Sequence, residues 1–243
     1  MTHLIGQMKA KGKSFEKSTT TMSRKKNKSR EIKNAVKQKA SLDSSVCAAV
    51  FDLQQVIYLP KSTRSELFYK RRLSCYNFTI YDMATKDGFC FVSHEGLTAR
   101  GSSEIASYLH LFLLNADERG CKQVELFSGG CCGQNQNSIV PSMFLYFLER
   151  SISVQEISLH FFETNHGQSE GDSIHSTIER QMKQVGELFI PSQLATLIKM
   201  ARKVPRPYVV RNVQSSDILD WKSYSQKRGV LRVRSSEKGT KVD

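Results

Sequence analysis

The stretch "VCAAVFDLQQVIYL", residues 46–59, constrains the fold more than any other. It opens with six consecutive apolar residues that end on a single carboxylate, Asp52. An unbroken apolar run of this length marks a strand covered on both faces. A carboxylate inside such a strand is costly unless something neutralises it, which makes Asp52 a candidate site residue. The plainer alternative is an aspartate that closes the strand and caps the next turn.

The following segments supply neighbours for that strand. "LSCYNFTIYDM" (73–83) and "FCFVSHE" (89–95) are aromatic and β-branched and read as a hairpin with Asp87-Gly88 in its turn. A helix follows over 104–116, with Ser102 or Ser103 at its cap and Ile105, Leu109, Phe112 and Leu113 on one side. Then come a fourth strand at 122–128, an apolar helix at 139–150 with Pro141 in its first turn, and a fifth strand at 155–163. Helices at 172–189 and 190–203 close the pattern. Three antiparallel strands followed by alternating helices and strands is the order of the ribonuclease-H-like fold. The expectation is an α/β domain over residues 44–210, a five-stranded mixed sheet flanked by helices, with 46–59 central or nearly so.

In that fold, carboxylates from the first strand, the end of the fourth strand and the last helix hold Mg²⁺ or Mn²⁺. Two such ions about 4 Å apart activate water and stabilise the leaving oxygen of a phosphodiester. Asp52 fills the first place. "GDSIHSTIE" fills the last: Asp172, His175 and Glu179 are offset by three and seven residues and share one helix side, beside the apolar stripe Ile174, Ile178, Met182 and Val185. The expected catalytic set is therefore Asp52, Asp172, His175 and Glu179, with Asp52 and Asp172 as metal ligands. Asp172 is preferred to Glu179 because the first helical turn lies nearest the strand ends. The second place has no acid: Ser128, Gly129 and Gly130 follow the fourth strand. Glu125, Glu163 and Glu170 are the substitutes at hand, and Glu125 points in the sense of Phe127, not Ser128.

The blocks "VFDLQQVIYLP", "EGLTARGSSEI", "LFSGGCCGQNQN", "NHGQSEGDSIHSTIE" and "IPSQLATLIKMARK" resemble, in this order over about residues 46–210, a ribonuclease-H-like, DDE transposase-like domain of transposable-element-derived animal proteins. The family pattern at the fourth strand is Ser-Asp-Gly-Cys followed by Gln-Asn-x-Asn. Here it reads Ser128, Gly129, Gly130, Cys131, then Gln134, Asn135, Gln136, Asn137. The departure falls on the metal-binding aspartate. A second departure stands at Asn165, His166 and Gly167, where the family has Gly-His-Ser. The resemblance implies a transposase-derived protein with a degenerate metal-nuclease site, which binds nucleic acid or a partner without efficient cleavage. An active Mg²⁺- or Mn²⁺-dependent transposase and a non-functional transposon remnant are the alternatives.

Charge adds a partner. Residues 1–43 hold 12 Lys/Arg against 3 Asp/Glu, a net +9, which leaves +4 for the remaining 200 residues. This basic segment is expected to be a disordered arm that contacts DNA phosphates through Arg24, Lys25, Lys26, Lys28 and Arg30, or serves nuclear import. The tail from 211 to 243 is expected to be a partly disordered extension. With no apolar stretch of membrane length and no leader-like start, a nuclear or cytoplasmic, non-secreted protein is expected, with its six cysteines reduced. Gln134, Asn135 and Asn137 are candidate nucleic-acid contacts, or helix-capping amides. Zinc held by Cys131, Cys132, His166 and His175 is a rival chemistry, weakened by the lack of any Cys-x-x-Cys. No phosphate-binding GxxxxGK[ST] loop is present.

Overall fold

A computed structural model describes residues 5–11, 14–20, 25–62, 71–129, 138–161 and 170–228. Its strands are β1 (Ile5–Lys11), β2 (Ser14–Thr20), β3 (Val46–Leu53), β4 (Ile57–Leu59), β5 (Leu73–Asp82), β6 (Gly88–His94), β7 (Gln123–Ser128), β8 (Glu156–Phe161) and β9 (Val209–Asn212). The helices are α1 (Lys25–Leu42), α2 (Ser102–Glu118), α3 (Ile139–Leu148), α4 (Glu170–Val185), α5 (Pro191–Met200) and α6 (Trp221–Lys227). All nine strands join one mixed sheet in the order β2-β1-β8-β7-β3-β5-β6-β9, with β4 paired to β5. The five expected strands form its middle. β3, β6, β7 and β8 run in one direction, and β5, between β3 and β6, runs against them.

The apolar run of β3 behaves as its sequence demands, since Val46 through Phe51 are all buried. Alternation divides that burial between two helical layers. Cys47, Ala49 and Phe51 face α2 and α3, in a cluster with Phe78, Phe112, Leu126 and Phe144. Each fully buried phenylalanine of this kind contributes about 1.5–3 kcal/mol. Val46, Ala48 and Val50 face the other way, with Phe127, under α1. On that second face a separate cluster seats α4 and α5 over β4, β5 and β6, through Ile174, Ile178, Leu194 and Ile198 against Cys75, Cys90 and Val92. The seam between the two clusters is where Asp52 emerges.

Three expectations change. The run 46–59 is two strands, because a β-bulge follows Leu53. Leu53 pairs with Phe78 and Ile57 with Cys75, so one extra residue lies on the first chain. The buried amides of Gln54 and Asn77 close the bulge: Asn77 Nδ2 donates to Gln54 Oε1 at 2.9 Å and Gln54 N to Asn77 O at 3.0 Å. The hairpin turn is also longer than Asp87-Gly88, with Lys86 taking the left-handed conformation at φ 61°. Gly88 starts β6 instead, and a side chain there would meet the Tyr208 ring at 2.7 Å.

The third correction concerns the chain start. The described parts of residues 1–43 are not a disordered arm, since β1 and β2 form a hairpin on β8, and α1 packs on β3. Ile32, Val36 and Ala40, spaced by four, supply an apolar stripe that a count of lysines conceals. Lys33 and Lys37 both reach Glu170 at the start of α4, Lys37 at 3.8 Å. Glu170→Gln should therefore cost about 1 kcal/mol or less in urea unfolding and raise amide exchange in α1. Unchanged exchange would mean that the apolar stripe alone holds α1. At the other end, β9 and α6 order much of the expected tail, and residues 229–243 lie outside the described residues.

Candidate metal centre

β3 delivers Asp52 to the face under α1 and α4, one residue before the strand ends. Antiparallel β5 sets Thr79 directly opposite it. α4 brings Asp172 in its first turn, where the unpaired N–H groups of a helix start favour a carboxylate, and His175 one turn further on. One ligand atom from each of Asp52, Asp172 and His175 lies within 4.8 Å of the others. His175 Nδ1 faces Asp52 Oδ2 at 3.9 Å, beyond hydrogen-bond length.

Electrostatics explain why this pair is not a salt bridge. Burial, with the negative charge of Asp172 adding to it, pushes the Asp52 carboxyl up to about 6. The amide of Leu53 donates to Asp52 Oδ1 at 2.9 Å and opposes that rise. Burial pushes the His175 imidazole down to about 4, and Asp172 offsets only part of this. Near neutral pH Asp52 is thus ionised and His175 neutral, the protonation states that ligate a cation.

The neutral ring has one assignable tautomer. Thr79 Oγ1 lies 3.1 Å from the Asp52 carbonyl oxygen and 2.9 Å from His175 Nε2. A hydroxyl has one proton, and the carbonyl can only accept. Thr79 therefore donates to Asp52 O and accepts from Nε2–H, leaving the Nδ1 lone pair turned towards the carboxylates.

The neighbouring strand β7 brings no carboxylate beside Asp52 among the described residues. Phe51 pairs with Ser128 in the parallel β3–β7 ladder, so the next position, Gly129, stands beside Asp52 on the same face. A β-carbon built there has nothing within 4 Å among the described residues. Two of the substitute acids are engaged elsewhere. Glu125 is buried, bonds His160 Nε2 at 2.6 Å and accepts from Gln123 Nε2 at 2.7 Å, and it sits four residues, about 13 Å, back along β7. Glu170 is held by Lys33 and Lys37. Glu163 lies outside the described residues.

Of the expected site residues, Asp52, Asp172 and His175 converge and Glu179 does not. Glu179 is exposed, and seven residues move it about 10 Å along the helix axis from Asp172, which a shared helix side ignores. Lys25, Lys26, Lys28 and Arg30 fall in the first turns of α1, whereas Arg24, Cys131, Cys132, Gln134, Asn135, Asn137 and His166 lie outside the described residues. Sequence reasoning missed Thr79 altogether. Among the described residues, no helix is long and apolar enough to cross a membrane. Comparison with known proteins gives no match: no family model, no curated protein and no solved structure.

Proposed function

We propose that the chain is a transposase-derived, ribonuclease-H-like domain whose metal-nuclease site has lost one of three carboxylates, and that it binds nucleic acid without efficient cleavage. The observation that carries this reading is the convergence of Asp52, Asp172 and His175 at the end of β3 while glycine occupies the adjoining position of β7. The order β8-β7-β3-β5-β6, in which β5 alone runs against the other four strands, supports the ribonuclease-H-like assignment, because that fold arranges its five strands as 5-4-1-2-3. With two carboxylates, a pair of ions is under-neutralised, and phosphodiester hydrolysis by two metals loses its second anchor.

The course of α1 supports a nucleic-acid partner. The helix leads into β3 through Asp43–Ser45, and its 18 residues, about 27 Å, span the length of that strand. Its first turns, with Lys25, Lys26, Lys28 and Arg30, thus come level with the Asp52 end of the sheet. Phosphates near the metal centre would meet this basic helix start.

The test is fluorescence anisotropy with duplex DNA over a salt series, alongside plasmid nicking with Mg²⁺ and Mn²⁺. Binding without nicking is expected. Exchanging Arg24, Lys25, Lys26, Lys28 and Arg30 for glutamine should flatten the log–log salt slope by about 0.9 for each phosphate that is no longer neutralised. Efficient nicking would overturn the degenerate-site reading, and an unaltered slope and affinity would remove the basic helix start from the interface.

A further inference from the structure

His175 is nine-tenths buried, and its Nδ1 faces Asp52 Oδ2 at 3.9 Å with no hydrogen bond among the described residues. With the Thr79 hydroxyl donating to the Asp52 carbonyl, the Nε2–H tautomer completes both hydrogen bonds and leaves the Nδ1 lone pair for a cation. The carbonyl, the hydroxyl and the imidazole form a relay from the backbone of one ligand to the ring of another.

We infer that this centre takes a single nitrogen-accepting transition-metal ion, of which Zn²⁺ is the type, in preference to Mg²⁺, with His175 Nδ1 as a ligand aimed by Thr79. The inference rests on the metal-site reading above and concerns which ion the site selects. Two carboxylates and one imidazole are a donor set of the kind that holds zinc with one position open to water. Mg²⁺ asks for near-octahedral oxygen and gives up its waters reluctantly, so an imidazole gains it little and the gap at Gly129 costs it an oxygen. Ligand atoms around one tetrahedral zinc stand about 3.3 Å apart. The 3.9 Å between His175 Nδ1 and Asp52 Oδ2 therefore closes by a small side-chain rotation. Among the described residues no cysteine belongs to the cluster, so this centre differs from the zinc site that Cys131 and Cys132 suggested in the sequence. Thr79 acts here as a positioning residue. It touches no metal, but the hydrogen bond it accepts from Nε2–H fixes ring orientation and tautomer, and such outer partners typically govern metal affinity by 10–100-fold.

The test titrates Zn²⁺, Mn²⁺ and Mg²⁺ separately into the whole protein by calorimetry, for the wild type, Thr79→Val and Thr79→Ser. Affinity should fall in the order Zn²⁺, Mn²⁺, Mg²⁺, with Zn²⁺ at least tenfold tighter than Mg²⁺. Thr79→Val should weaken Zn²⁺ about tenfold and leave Mg²⁺ within about twofold, and Thr79→Ser should restore the wild-type value. In ¹⁵N-histidine spectra, Zn²⁺ should shift the His175 Nδ1 resonance and leave Nε2 protonated, a signature that loss of packing does not produce. Equal affinity for Mg²⁺ and Zn²⁺, or a Zn²⁺ shift at Nε2, overturns the inference and leaves the metal site standing. Binding of none of the three ions overturns the metal-site reading itself. Should Thr79→Val fail to fold, the wild-type ion order, the ¹⁵N shift and Thr79→Ser still decide.

Discussion

Gly129→Asp should tighten divalent-metal binding by about a hundredfold, roughly 2.7 kcal/mol. The register places Gly129 next to Asp52 on one face of neighbouring parallel strands, and such neighbours lie about 4.8 Å apart. A carboxylate there shares an ion with Asp52 and Asp172. Among the described residues a β-carbon at 129 has open space, and the backbone is not in the left-handed region that would strain it. Calorimetric titration of Mg²⁺ and Mn²⁺ measures the gain. Gly129→Ala is the control and should leave affinity unchanged. The oxygen-preferring Mg²⁺ should gain more than Zn²⁺, because the new ligand supplies the hard donor it lacks. No gain in a folded Gly129→Asp protein would mean that the ion does not sit where β3 and β7 end.

Asp52→Asn should cost at least a hundredfold in metal affinity and yet stabilise the metal-free protein. The folded carboxyl titrates at about 6 against an ordinary aspartate value of 3.8. A raised carboxyl contributes stability that is complete below the unfolded value and is lost as pH rises through 6, so at pH 7 the ionised group burdens the fold. The Asp52 side chain is 41% exposed, which reduces the gain from asparagine to about 1 kcal/mol. His175 has the opposite sign. Its value falls from 6.5 to about 4, so the stability it contributes is complete above 6.5 and is lost as pH falls towards 4. The two slopes oppose each other between about pH 4 and 6, and wild-type stability should be nearly flat there. Asp52→Asn should lose stability on acidification, and His175→Gln should gain it. Urea unfolding at several pH values reads both, and parallel curves for the two variants would refute the assignment.

The parts of this molecule written in local periodicity were legible in the sequence. The aromatic and β-branched runs of β5 and β6, the stripe of α4 and the apolar run of β3 each declare an element that must bury one face or both. Asp52 was legible for a related reason, as a polar residue set where burial makes it expensive, and Asp172 and His175 as a polar stripe beside the apolar one. What local pattern does not encode is pairing across the chain. Thr79 is an ordinary alternate residue of β5 until the register puts it opposite Asp52 and under His175. Glu179 shares a helix side with Asp172 but not its height on the axis. The packing of α1 was hidden by composition, because three apolar residues one turn apart suffice to seat a helix that is otherwise rich in lysine.

The bulge after Leu53 has a consequence for α4. In an unbroken strand that alternates strictly, Asp52 and Ile57 would point to opposite sides. The single extra residue shifts the strand out of phase, so Ile57 and Leu59 join the same layer as the metal face, in one cluster with Ile174, Ile178 and Met182. The helix that carries two of the three ligands thus rests partly on residues whose orientation depends on a count of one. The geometry of the metal centre is set by a parity error in the strand that supplies its first carboxylate.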